Sequence, residues 1–302
     1  MKLNFKPYAL LQTMPVKKTL SWIIFIFLSC TWGSSFILMK EGAEYLTGWQ
    51  IAAVRIFSAG LFFWPFAVFH FQSIPVNKIP FVILTGMLGN FLPAFLFAIA
   101  IDANGESSIA SILNSLTPLF VVLIGSLFFK VSIPNKKLIG VLVGFVGVVV
   151  LSVSKEAISF KDIGFTLLIL IATIFYGLNV NIISVYLKGI DSFKIATVSL
   201  ALMSIPAAFI VWRLKVVPLA LHDKGVQFSV AMSALLGVLG SSISTALYYV
   251  LIRKAGGLFA SLVTYAIPIV AIGWGLWAHE SVGPLQIASL GIILCGVYLA
   301  NR

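Results

Sequence analysis

Carboxylates are scarce in this chain. Asp and Glu supply 9 of 302 residues, and Asp102, Asp162, Asp191 and Glu280 all sit at or near the ends of apolar runs rather than inside them. A relay of buried carboxylates, the device of many proton-driven pumps, is therefore not visible. Cysteine is scarcer still. Cys30 and Cys295 are the only two, both inside apolar runs, so neither a disulfide framework nor a thiolate metal site is indicated. No Gly-x-x-x-x-Gly-Lys-Ser/Thr loop is present, which argues against direct ATP hydrolysis. An intramembrane enzyme would need a nucleophile beside a base, a metal-binding helix motif or paired acids at depth. None is evident, so the sequence does not read as an enzyme and calls for no cofactor.

Charge of both signs is thin. Only 10% of residues are charged, 60% are hydrophobic and the mean hydropathy is +1.09. A soluble domain carries roughly a quarter charged residues. What the chain has instead is more apolar sequence than one soluble core can hide. About 20 apolar residues cross the hydrocarbon as a helix. Ten segments fit, at about 20–39, 48–70, 79–101, 107–129, 137–154, 163–187, 192–212, 227–252, 258–278 and 284–300. They lack the alternation of barrel strands. The expected class is all-α integral membrane.

The formal net charge of +11 is distributed as a topology signal, not as a nucleic-acid footprint. With the N-terminus inside, Lys17, Lys18, Lys78, Lys130, Lys136, Lys137, Lys188, Lys194, Arg253 and Lys254 face the cytoplasm against a single acid, Asp191. The outer loops carry Glu41, Glu44, Asp102, Glu106, Glu156, Asp162, Asp223 and Glu280. The Lys/Arg bias orients helices, so both termini are expected in the cytoplasm. Residues 1–19 then form a cytoplasmic segment, and the following run is a first transmembrane helix rather than a cleaved signal.

The chain also reads twice. Ile51-Ala52-Ala53-Val54 recurs as Ile195-Ala196-Thr197-Val198, and Trp32 and Ser35 align with Tyr176 and Asn179, all at an offset of 144. Gly86-Met87-Leu88-Gly89 recurs as Gly237-Val238-Leu239-Gly240 at an offset of 151. Ala110-Ser111 and Pro118 recur as Ala260-Ser261 and Pro268, and Pro134 as Pro284, at 150. The seven extra residues fall near 213–226, read as a long Pro- and charge-containing loop. Five helices per copy is an odd number, so the second copy enters inverted, as in many secondary transporters. The charges agree: the outer loop with Asp102 and Glu106 matches the inner loop with Arg253 and Lys254. The expected units are repeats over 20–154 and 163–302, joined by a linker at 155–162.

Polar side chains at membrane depth fall largely on matching positions: Ser35 with Asn179, Asn90 with Ser241, Asn114 with Thr264, and the aromatics Trp32 with Tyr176. Trp32 and Ser35 share a helix face, as do Tyr176 and Asn179. Such residues either bond helices together or line a central cavity at the repeat interface. As a set the symmetric pairs favour a cavity for a small, partly apolar molecule. Arg55 is the one charge well inside a span. It either snorkels outward or binds a carboxylate or phosphate with its planar fork. Gly140, Gly144 and Gly147, with Gly291 and Gly296, allow close approach between helices or between protomers of a homodimer. Pro93, Pro118, Pro206 and Pro268 offer bends.

Trp32-Gly33-Ser34-Ser35-Phe36, Arg55, the Ala110-to-Pro118 segment, and Pro268 followed by Glu280 and Pro284 resemble the EamA-type branch of the drug/metabolite transporter superfamily. Lys130-Val131 departs from it where the family often has Glu after the fourth helix; Glu280 keeps that Glu in the second copy. The resemblance implies two five-helix units that move small metabolites, commonly exporting amino acids or related compounds, across a bacterial inner membrane. The expected function is thus a secondary transporter, its partners a small-molecule substrate and the lipid bilayer, with Trp32, Ser35, Arg55, Asn90, Asn114, Tyr176, Asn179, Ser241 and Thr264 as the candidate binding residues. A nucleotide-sugar or lipid-linked carrier and a non-transport membrane scaffold are the alternatives.

Overall fold

The computed structural model describes residues 18–104, 110, 113–154, 163–277 and 283–301. Residues 1–17 of the expected cytoplasmic segment, the expected linker 155–162 and the residues Glu106, Ser111 and Glu280 lie outside the described residues. Every regular element among the described residues is helical: α1 Lys18–Gly42, α2 Gly48–Phe71, α3 Ile79–Gly86, α4 Leu92–Asn104, α5 Thr117–Phe129, α6 Asn135–Ser154 and α7 Ile163–Val185. Then follow α8 Ser192–Arg213, α9 Val216–His222, α10 Lys224–Leu235, α11 Ser244–Ala255, α12 Gly257–Ser261, α13 Val263–Trp277 and α14 Pro284–Asn301. Two π-helical turns, Met87–Phe91 and Leu236–Ile243, splice α3 to α4 and α10 to α11.

Among the described residues six stretches are long and apolar enough to cross a membrane: Gly48–Phe71, Val76–Ala103, Thr166–Val185, Ser192–Arg213, Lys224–Ala255 and Pro284–Asn301. Their outer faces carry exposed large apolar side chains, among them Phe69, Phe209 and Trp212. An aqueous surface of that kind would be unfavourable over such an area, and hydrocarbon removes the problem. This is a multi-pass membrane protein.

Two helices organise the centre. α2 and α8 cross where Gly60 meets Ser204: a Cβ on Gly60 would lie 2.3 Å from Ser204 Cβ and 2.5 Å from the Leu200 carbonyl oxygen. Their N-termini are held alike by different residues. Thr47 makes a capping box with Gln50 at the start of α2, and Asp191 accepts from the Phe193 and Lys194 amides at the start of α8. Each cap satisfies helix N–H groups that have no partner in the first turn, a stabilisation of about 1 kcal/mol. Asp102 adds a 2.7 Å bond from the Gly48 amide.

Around this centre the contacts recur in pairs. α1 packs on α13 as α7 packs on α5, and α1 on α10 and α11 as α7 packs on α3 and α4. At one side α6 and α14 lie together, where Cβ atoms on Gly140 and Gly296 would fall 2.3 Å from the Ala300 and Gly144 backbone nitrogens. The glycines at 140, 144, 147 and 296 thus serve contacts within the chain, whereas Gly291 has nothing within 4 Å.

Some local expectations change. Residues 213–226 are not one loop. Lys215 takes a left-handed conformation (φ 53°), α9 follows with Pro218 in its first turn, and Asp223 caps α10. Proline is tolerated there because first-turn N–H groups need no helical acceptor. For the same reason Pro118 opens α5 rather than bending it, whereas Pro65, Pro206 and Pro268 lie inside helices.

Candidate functional site

A cavity lies between the two sets of helices, with about 790 Å³ of empty space when the open solvent at its mouth is counted. Eight of the nine candidate residues line it: Trp32, Ser35, Arg55, Asn90, Asn114, Tyr176, Asn179 and Thr264. The ninth, Ser241, does not. It stands behind Arg55, its Oγ accepting from Nε at 2.8 Å.

The placement follows from helix geometry. Residues three apart share a face, so Trp32 with Ser35 on α1, and Tyr176 with Asn179 on α7, turn inward together. Each face is seated on a glycine of a π turn from the other half of the chain. A Cβ on Gly240 would lie 3.2 Å from Ser35 Oγ, and one on Gly89 would lie 2.2 Å from Asn179 Nδ2. A second mirrored pair lies deeper. Cβ atoms on Gly237 and Gly86 would fall 2.3 Å and 2.8 Å from the backbone oxygens of Arg55 and Ser199, which are themselves matching positions. The Trp32 indole donates to the Gly240 carbonyl at 2.9 Å.

π turns take in an extra residue, loosen the backbone ladder and often mark functional sites. In the second one, Ser242 and Ser244 hydroxyls bond the Gly237 and Leu239 carbonyls five residues back, which repairs the ladder. In the first, Asn90 projects into a bridge between halves: its Oδ1 accepts from Thr245 Oγ1 at 2.8 Å and its Nδ2 donates to Tyr249 Oη at 3.3 Å.

Arg55 does not snorkel to an interface. Its side chain is half-buried, lines the cavity, and is held by Ser241 and, at 4.0 Å, by Met39 Sδ. Among the described side chains, which do not include that of Glu41, no carboxylate pairs with it: Asp102, Asp191 and Asp223 accept from helix-start amides, and Glu44 is exposed. The guanidinium is thus a cation with donors to spare in an enclosed, mostly apolar space.

The sequence missed part of the lining. Thr245, Tyr248 and Tyr249 on α11, Thr117 on α5, and Met39 and Phe97 all face the cavity. Trp32 and Tyr248 meet edge-on at 5.1 Å, and Phe97 stacks on Tyr176 at 6.2 Å. The available signal was helical spacing from Ser241, which puts Thr245 and Tyr248 four and seven residues on. Toward the start of α1, Trp22 and Phe25 close on each other and on Phe259 with centroids 5.3–5.4 Å apart. At the end of α11 the Arg253 guanidinium donates to the Ile190 carbonyl.

The sequence pattern of the EamA-like transporter family matches residues 20–153 and 164–302. An uncharacterized transporter of Archaeoglobus fulgidus is 23% identical over 283 residues, covering 93% of this chain and 98% of that protein. The uncharacterized inner membrane transporter YedA of Escherichia coli K12 is 26% identical over 281 residues, covering 89% of this chain and 87% of that protein. A crystal structure 14% identical superposes with a TM-score of 0.68 over 94% of this chain and 97% of that one, which shows the shared fold.

Proposed function

Given that the chain belongs to the EamA-like transporter family, we propose that it is a secondary transporter of the inner membrane that exports small metabolites such as amino acids. In this reading ten helices cross the membrane as two inverted five-helix repeats, 20–154 and 163–302, joined by 155–162. Both termini lie in the cytoplasm, and no enzymatic step is assigned. The two stretches matching the family pattern, the mirrored glycine contacts and the recurring helix pairs support the repeats. Inverted repeats bind substrate at their interface and give alternating access by rocking about it.

One observation carries the substrate class: a single guanidinium, with no carboxylate partner among the described side chains, set in an aromatic-walled cavity with amide and hydroxyl groups. A planar fork suits a carboxylate, and the aromatic walls suit a partly apolar body. A nucleotide-sugar or lipid diphosphate would call for more cations than Arg55 supplies. A scaffold would tolerate alanine at the cavity residues.

Counterflow in proteoliposomes, with labelled amino acids, purines and sugar nucleotides, tests this. The parent exchanges amino acids, and Arg55→Ala loses about tenfold or more, the scale of one charged hydrogen bond. Exchange of sugar nucleotides alone, or amino-acid exchange untouched by Arg55→Ala, would sink it.

A further inference from the structure

The second half of the chain carries a helix for which the first has no mate. Where the offset between matching residues grows from 144 to 151, the backbone turns at Lys215 (φ 53°) and adds α9, Val216–His222. At the matching junction, 72–78, a single 3-10 turn suffices. There Ile74 is buried and the one cation, Lys78, donates to the Tyr186 carbonyl at 2.7 Å.

α9 is poorly suited to water. Val216 is buried, but Val217, Leu219 and Leu221 are exposed, Leu221 by 73%. Its one polar side chain, His222, turns back on the helix, with Nδ1 2.7 Å from the Pro218 carbonyl. Apolar area left in water is unfavourable in proportion to its extent. The position of α9 removes the difficulty. One membrane-crossing stretch ends at Arg213 and the next begins at Lys224, so α9 joins two spans at their common end. Aromatic side chains mark the same level. Trp212, 72% exposed, closes α8, and the half-exposed Tyr45 ring lies where a Cβ on Gly225 would come within 2.5 Å of it. Trp and Tyr gather where membrane meets water.

Charge brackets the helix. Arg213 and Lys215 precede it, Lys224 follows it, and all three are exposed. The acids beside it are Asp223, whose Oδ1 accepts from the Gly225 and Val226 amides, and Glu44, next to Tyr45. An apolar helix with basic flanks lies in the plane of the interface, its apolar side chains in the acyl layer and its cations among the headgroups. We propose that α9 is a lipid-docking element: Val217, Leu219 and Leu221 enter the acyl layer, while Arg213, Lys215 and Lys224 gather anionic phospholipids around it. This surface is separate from the central cavity and needs no transported substrate to be tested.

With Cys30 and Cys295 replaced by Ser, a bimane label on Leu221→Cys reads both parts in nanodiscs. Lipids brominated on the acyl chain quench the label, and aqueous iodide does not. Brominated phosphatidylglycerol diluted into plain phosphatidylcholine quenches at about fivefold lower mole fraction than brominated phosphatidylcholine does, the scale of one basic residue at an anionic surface. Combining Arg213→Gln, Lys215→Gln and Lys224→Gln brings that advantage toward one, while quenching by acyl-chain bromine persists because α9 stays in place. Should the combined variant fail to fold, raising the salt around the parent tests the same point, since screening shrinks the advantage. Quenching by iodide and not by bromine overturns the proposal by placing α9 in water. Protection from both quenchers overturns it in favour of a covering protein, such as a second copy of this chain. An advantage missing from the parent, or unmoved by the three substitutions or by salt, overturns the role given to the three cations.

Discussion

Single atoms decide how close the two halves come. A Cβ on Gly237 would meet Ser58 Oγ at 2.0 Å and the Arg55 carbonyl oxygen at 2.3 Å, the latter being backbone that cannot swing aside. On Gly86 the nearest atoms are Met203 Cγ, the middle of a flexible side chain, and the Ser199 carbonyl oxygen, both at 2.8 Å. Overpacking of this kind costs about 1–3 kcal/mol. Gly237→Ala is therefore expected to lower the melting temperature in detergent clearly more than Gly86→Ala does. Gly164→Ala, with nothing within 4 Å, should leave it unchanged; equal losses at 86 and 237 would contradict the packing described. At this scale the sequence was readable where repeat symmetry and membrane depth coincided, which is why seven of the eight symmetric candidates line the cavity, while Arg55 stood out by its charge at depth alone. Thr245, Tyr248 and Tyr249 were hidden because their matches are Ala94, Phe97 and Ala98. Apolar mates carry no polar signal, and the polarity of this wall belongs to one half only.

Among the elements, the π turns matter most. Gly86 to Gly89 and Gly237 to Gly240 read in the sequence as places of close approach, which they are. The change of hydrogen-bond register was not legible, because apolar periodicity does not distinguish one wide turn inside a long helix. Deleting one residue, Val238, from Leu236–Ile243 would let an ordinary α-helix run through. The wide turn absorbs the extra residue, so α11 would keep its facing while the backbone that seats Ser35 on Gly240 and holds Arg55 through Ser241 would shift. The expected result is loss of counterflow in a protein that still inserts and purifies as a folded species; parental exchange would show that the wide turn is dispensable. The expected loop at 213–226 became α9 and a cap for a similar reason. Composition revealed polar and proline content, but not that Lys215 and Asp223 bracket one more short helix.

For the molecule as a whole, charge sets direction. Lys188 and Lys224 are both exposed, and the proposed topology puts them on opposite sides of the membrane. After Cys30→Ser and Cys295→Ser, a membrane-impermeant thiol reagent applied to intact cells should label Lys224→Cys and spare Lys188→Cys; the reverse pattern would invert the topology. The all-helical, multi-pass class was legible from the apolar runs, because those are linear signals. Which helix touches which was not, since packing pairs residues from distant positions. The seam between α6 and α14 is the clearest instance. There Gly140 meets Ala300 and Gly296 meets Gly144, backbone against backbone. Lipid tails cannot fill so narrow a groove as closely as a matching helix does. A polypeptide ending after α6 would carry that groove open along one flank, so neither half is self-sufficient: each is shaped around a counterpart that only the rest of the chain supplies.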